Sequence, residues 1–353
     1  MGWFSRYFWL KSRKAQPSSK PATIAAATPA PVPASPPPPA PASVAKTSAT
    51  PKFGNAVSWM QRDGLNADFL DWLFAEGDQS RLFASRAEQD LLAEVERVIN
   101  SSQATSDMVR RMPGVIPQLL QSLRTEDFSG AELARQISND VVLVAEVIRI
   151  ANSSLYKTAE EITSIERAVM VLGHAGLRQL ITSVAFKPII DLKSGYFTRA
   201  IAPKIWNQSE KCARANRMLA EGESVQAFEA FLAGLVQNVG FIVSLRFVDQ
   251  LGRSNQGIGS AGFCNALVAL GRKLSVDIAR EWRFPDSVAL AIGEQGGFSK
   301  DVQLSPIGTV LAIGDYISKI QVLAEHERVN REDSRLYEGL SEKARLCLQE
   351  LET

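Results

Sequence analysis

The side chains in this sequence that could do chemistry are few and widely spaced. Its two histidines, His174 and His326, fall in separate contexts. His174 follows Leu172 and Gly173 at a helix start or turn, and His326 sits in a charged run with Glu325, Glu327 and Arg328. The first reads as a structural polar group and the second as a solvated one, since neither has a visible partner. Cys212, Cys264 and Cys347 stand far apart with no Cys-x-x-Cys pair, which supports neither a zinc site nor a disulfide framework and suits a reducing compartment. Serine nucleophile chemistry lacks its Gly-x-Ser-x-Gly elbow. Gly257, Gly259 and Gly262 spell a dinucleotide-type pattern. No strand precedes them and no βαβ unit surrounds them, so the stretch reads as a loop between helices.

The frame for these residues is a chain of 353 residues, 45% hydrophobic and 22% charged, long enough for one or two packed domains. Its formal net charge of +1 hides an asymmetry. Residues 1–62 carry eight Lys or Arg and no acid; removing those eight from 39 leaves 31 basic against 38 acidic residues in the rest. A basic, acid-free tail is a candidate for contact with anionic surfaces, while a mildly acidic body argues against a nucleic-acid groove. The scattered Arg110, Arg111, Arg149, Arg167 and Arg178 read as solvated helix faces. On a helical wheel Trp3, Phe4, Tyr7 and Phe8 share one face, bordered by Leu10, so residues 1–16 are the candidate for weak peripheral membrane contact. From 17 to 52 the chain is mostly Pro, Ala, Ser and Thr, with eleven of its 17 prolines, and should be an extended, disordered linker. No unbroken run of 18 apolar residues occurs, so no membrane-spanning helix is expected, and the N-terminus lacks a clean signal-peptide core.

Beyond the linker the pattern is helical. Phe69, Leu70, Trp72, Leu73 and Phe74 crowd a short apolar helix, and Leu82, Leu91, Leu92, Val95 and Val98 fit helical spacing over 82–100. Ser129 with Glu132, and Thr163 with Glu166, read as capping boxes. Further helices are expected near 141–153, 174–188, 203–220, 225–247, 262–282, 286–295, 303–324 and 335–351. Alternating strand patterns are nearly absent, and the fold class is all-α.

From about Arg111 to Ile320 the sequence resembles the HDOD family, a bacterial relative of the His-Asp phosphohydrolases. The resemblance is carried by 112–120 with Pro113 and Pro117, by 131–140, by the helix ending in Asn152 and Ser153, by 165–178 around Gly173, by 230–240, and by Trp282 with Pro285. It implies an HD-like multi-helix domain over 109–325, preceded by a helical extension over 53–108 and followed by a C-terminal helix over 326–353.

In the hydrolases that this family resembles, histidines and aspartates converge on one or two divalent metals that activate a water, because neutral imidazoles and carboxylates hold the ion and lower the water's pKa. Aligned on the motifs above, those positions hold Gln208, Gln237, Asn238, Gly271 and Gln295, and only Asp315 keeps an acid. The resemblance therefore implies a vestigial metal-site cavity of Gln208, Gln237, Asn238, Gln295 and Asp315, with no catalytic residues, no metal and no cofactor. Carboxamides donate and accept at once, so they could close into their own hydrogen-bond network or line a pocket for a small ligand such as a nucleotide. The expected function is a non-catalytic signalling or regulatory scaffold in the bacterial cytoplasm, peripheral at the inner membrane if residues 1–16 engage it. It would bind protein partners of a signalling pathway and no nucleic acid. The competing expectations are a residual metal-dependent phosphohydrolase or phosphodiesterase acting on nucleotides, and a membrane-tethered adaptor.

Overall fold

Serine opens helix after helix in this protein. The computed structural model describes residues 57–74, 80–101, 141–152, 161–190, 195–251, 258–296 and 303–352. Trp3, Phe4, Tyr7, Phe8, the proline-rich linker and the box at Ser129 and Glu132 lie outside the described residues. Among the described residues the elements are α1 (Trp59–Leu73), α2 (Arg86–Asn100), α3 (Val141–Ala151), α4 (Ile165–Ile190), α5 (Tyr196–Ala220), α6 (Ala227–Val236), α7 (Val239–Leu251), α8 (Ala261–Glu281), α9 (Asp286–Glu294), α10 (Pro306–Glu325), a 3-10 turn (Ser334–Tyr337) and α11 (Glu342–Leu351), with no strand. Ser58, Ser85, Ser260, Ser305 and Ser341 each accept a backbone N–H of the first turn that follows. Two of these are reciprocal boxes, Ser58 with Gln61 and Ser85 with Glu88.

Several expected boundaries move, each for a local reason. Ser164 rather than Thr163 begins α4, accepting Arg167 N–H at 3.2 Å. That helix starts well before 174 and is interrupted at Gly173, whose φ of 63° is a left-handed step that glycine takes without steric cost. Leu82 is not helical but lies 74% exposed in the loop ahead of α2. Helix α5 begins at Tyr196, not near Pro203, because a distant side chain caps it. Asp249 at the end of α7 accepts the N–H groups of Phe197 and Thr198 at 2.9 and 2.8 Å. The C-terminal stretch expected as one helix over 335–351 divides into the 3-10 turn and α11.

The core is built around α5 and α10, which pack on each other and on α6. Ile205, Leu219, Val310, Leu311 and Ile317 are fully buried. Each such side chain contributes about 1.5–3 kcal/mol of hydrophobic stabilisation. Helices α1 and α2 pack into the same body, α1 on α10 and α8, and α2 on α7 and α8. Helices α7 and α8 approach so closely at Gly240 and Gly271 that a Cβ on Gly271 would lie 2.5 Å from Phe241 Cα. By mean hydropathy two stretches, Ala227–Leu251 at 1.7 and Pro306–Glu325 at 1.3, could cross a membrane by length and composition. They are 89% and 78% buried against the rest of the fold, which accounts for their apolarity as core.

The expected helix over 225–247 breaks at Gln237 and Asn238, between α6 and α7. Gln237 ends one helix with an N–H bond to Ala233, and Asn238 begins the next by accepting Ile242 N–H. This interruption brings both carboxamides to the centre of the helical body.

Candidate functional site

Around Asp315 on α10, three of the aligned carboxamides come together. Gln208, on α5, donates from Nε2 to Asp315 Oδ1 at 3.0 Å and to Ser318 Oγ at 2.9 Å. Gln237 donates from Nε2 to the same Oδ1 at 3.1 Å. Asn238 closes the set, donating from Nδ2 to Gln208 Oε1 at 2.8 Å and to Ser209 Oγ at 3.1 Å. The second carboxylate oxygen of Asp315 accepts Lys319 Nζ at 2.6 Å, and Lys319 also donates to Asn66 on α1 at 2.6 Å. Every polar group buried here thus finds a partner, as a water-poor interior requires.

Gln295 stands apart from this network. As the C-cap of α9 it donates from Nε2 to the carbonyls of Ala291 and Gly308 at 2.9 and 3.1 Å, and its Oε1 accepts from Arg62 at 3.3 Å. Both groups border one cavity of about 340 Å³, whose walls include Gln237, Asn238, Gln295 and Asp315. Gln208 is fully buried behind that wall rather than lining it. Gly271 also lies off the cavity, against Phe241 of α7; from that turn of α8 it is Arg272 that reaches the wall.

A divalent cation would need lone pairs directed at it. Here two carboxamide N–H groups point at Asp315 Oδ1 and an ammonium occupies Oδ2, so positive hydrogens fill the approach that a metal would use. Among the described residues no three His, Cys, Asp or Glu side chains cluster as a metal set. These residues do not fit a catalytic divalent metal. His326 is far from forming one: its Nδ1 bonds the Val322 carbonyl at 2.8 Å, and its ring packs on Trp72 at 4.6 Å between centroids. The backbone at His174 follows the Gly173 break, in keeping with the turn expected there.

Electrostatics divide the cavity. Burial pushes the Cys212 thiol well above its ordinary range, with the nearby Asp315 charge adding to the effect, so this cysteine behind Gln237 is a weak acid and a poor nucleophile. Burial also holds the guanidiniums of Arg62 and Arg272, which line the cavity too, below their ordinary values, while Asp315 pulls both the other way. Arg62, Asn66, Arg272 and Lys319 are the site residues that sequence reasoning missed. Lys319 follows Asp315 by one helical turn and carried a legible signal as an i,i+4 ion pair. Arg62 and Asn66 lie on α1, outside the stretch on which the resemblance rests.

The HDOD domain family matches residues 109–296, which is 188 of the 353 residues. The chain belongs to the HDOD family. Solved structures agree on the fold. An HDOD domain protein of unknown function from Geobacter sulfurreducens superposes with a TM-score of 0.51 at 21% identity, over 68% of this chain and 87% of that one. A Shewanella amazonensis SB2B protein, provisionally described as a metal-dependent phosphohydrolase, does so with 0.51 at 16% identity, over 75% and 98%. A Marinobacter aquaeolei VT8 protein, provisionally described as a signal transduction protein, reaches 0.52 at 19% identity, over 75% and 62%. In sequence the chain is 24% identical over 139 residues to an uncharacterized protein of Treponema pallidum (strain Nichols). That match spans 39% of this chain and about a quarter of the relative's length.

Proposed function

We propose that this HDOD protein is a non-catalytic signalling module that works by holding protein partners. The observation that carries the reading is the engagement of Asp315, the one acid retained at a metal position, by Gln208 and Gln237 on one oxygen and by Lys319 on the other. A hydrolase of this kind must leave its carboxylate open to a cation, and this carboxylate is closed by hydrogen-bond donors. Support for docking comes from α4, where the apolar Met170 and Val171 are 75% and 46% exposed. The signalling role is drawn from the family, and the body is assigned to the bacterial cytoplasm.

The test is turnover and metal content of the full-length chain. Purified protein supplied with Mn²⁺ or Mg²⁺ should retain no stoichiometric metal after desalting and should not hydrolyse bis(p-nitrophenyl) phosphate or cyclic dinucleotides. Turnover that a chelator abolishes would overturn the reading. Partner binding is tested separately by affinity capture, where recovery of no specific protein counts against it. Residues 1–16 are assigned peripheral contact with the inner membrane through Trp3, Phe4, Tyr7 and Phe8. Removing residues 1–50 should then shift the chain out of the membrane fraction, and an unchanged distribution would remove that assignment.

A further inference from the structure

Asp315 sets the direction of every amide around it. A carboxylate only accepts, so each carboxamide that meets it turns its NH₂ group that way. Gln208 and Gln237 both do so, from Nε2 to Asp315 Oδ1. Gln208 Oε1 is thereby left as an acceptor, and Asn238 answers it with Nδ2 at 2.8 Å. The outer ends of the chain are then fixed as well: Gln237 presents Oε1 and Asn238 presents Oδ1. The NH₂ groups of the two amides are taken up by Asp315, Cys212, Gln208 and Ser209. Neither oxygen accepts a hydrogen bond from a described residue and neither is sealed in the interior, so both open onto the cavity that their residues line. Two consecutive residues thus show this cavity acceptors and no donor.

The pair is selective for the ligand's charge. An anion beside them would set oxygen against oxygen. An ammonium would meet the like charges of Arg62, Arg272 and Lys319, which line the same cavity. A neutral N–H donor meets neither objection. Phe69 and Phe241 also border the cavity, and their rings suit a flat aromatic ligand. A volume of about 340 Å³ has room for a purine nucleoside. We propose that this cavity binds an uncharged, flat nitrogen heterocycle bearing an amino group, its N–H donors meeting Gln237 Oε1 and Asn238 Oδ1 and its ring lying against Phe69 and Phe241. The inference rests on the non-catalytic reading above, because a metal at Asp315 would turn Gln208 and Gln237 round and reverse the polarity shown to the cavity.

The experiment is thermal unfolding of the full-length chain titrated with adenosine and, separately, with purine riboside, the same nucleoside without its amino group. Adenosine should raise the melting temperature with the logarithm of its concentration, by about 2–3 °C at ten times its dissociation constant. Purine riboside should bind at least about tenfold more weakly, since it leaves the two oxygens unanswered. Ala269→Trp places a bulky ring at an exposed helical position on the cavity wall, with little risk to folding, and should abolish the adenosine shift. The proposal is overturned if adenosine gives no shift up to about 5 mM, a concentration that would reveal even a weak binder. It is equally overturned if purine riboside binds as tightly as adenosine, or if Ala269→Trp binds adenosine as the wild type does. Metal content after incubation with Mn²⁺ and desalting separates the two readings. Stoichiometric Mn²⁺ would sink the non-catalytic reading and this inference with it; no metal and no adenosine shift would sink the inference alone.

Discussion

Glu88 offers the sharpest energetic test of how the segment ahead of the family domain is joined to it. Its side chain is 1% exposed, an unusual place for a carboxylate, and its nearest cation is the half-exposed Arg81 at 3.6 Å. Burial alone would push its pKa up, but backbone N–H groups of Ser260, Ser85 and Gly259 and the Ser85 hydroxyl outweigh that and hold it at about 2, against an ordinary 4.5. One oxygen accepts Gly259 and Ser260 N–H at 3.0 and 2.9 Å; the other accepts Ser85 N–H at 2.7 Å and the Ser260 hydroxyl at 3.0 Å. The start of α2 is therefore pinned to the start of α8 through one anion. At about 1.4 kcal/mol per pH unit, a carboxylate so held stabilises the fold by roughly 3 kcal/mol at neutral pH. Glu88→Gln keeps one acceptor oxygen but turns an NH₂ group toward Ser85 N–H, leaving that donor unpaired. A loss of about 3 kcal/mol, or roughly 6 °C in melting temperature, is expected at pH 7. Because the folded pKa is depressed, the stabilisation is complete above the unfolded value of 4.5 and is lost as pH falls toward 2. Urea melts of both proteins at pH 7 and near pH 3 measure this, and the gap between them should narrow at the lower pH. A gap under about 1 kcal/mol at pH 7, or one that is the same at both pH values, would refute the reasoning.

Gln208→Leu removes the acceptor for Asn238 and a donor to Asp315, and should cost about 1–3 kcal/mol in chemical denaturation; an unchanged midpoint would show that the network does not bear stability. Gly271→Ala places a methyl where Phe241 Cα stands at 2.5 Å, so it should lower stability by about 1–3 kcal/mol through forced separation of α7 and α8, whereas Gly293→Ala, with its nearest neighbour at 3.6 Å, should be nearly neutral. All three cysteines are buried and free, and Cys347 is pushed up to about 11 by burial. Native protein should therefore react slowly with a disulfide reagent such as DTNB and release its thiols fully only when denatured; a fast native phase would contradict the burial.

What was legible in the sequence follows the range of the interactions. Gln208, Gln237, Asn238 and Asp315 could be placed together because motif order carries positional information across the whole domain. Gln295 could be placed at the cavity but its separation from the Asp315 network could not be read, since its partners are carbonyls of α9 and α10 that carry no side-chain signature. The break at Gln237 and Asn238 was hidden by continuous apolar periodicity on both sides. The Ser85 and Glu88 box was not among the two caps read from the sequence, and the carboxylate's other partners lie more than 170 residues away at Gly259 and Ser260. The start of α5 was missed for the same reason, because Asp249 caps it from another helix. Arg62 and Arg272 had no motif at all; only packing α1 against α8 brings them to one cavity.

That cavity is assembled from three lengths of chain, and the family match covers only the middle one. Arg62 and Asn66 precede residue 109, and Asp315 and Lys319 follow residue 296. Cutting at the family's edges would remove a wall from each side. It also means that the chemistry of the cavity can diverge while the shared domain stays the same. A relative that kept every residue of the central helices could still change the lining of this cavity through the first helix alone, at Arg62 and Asn66.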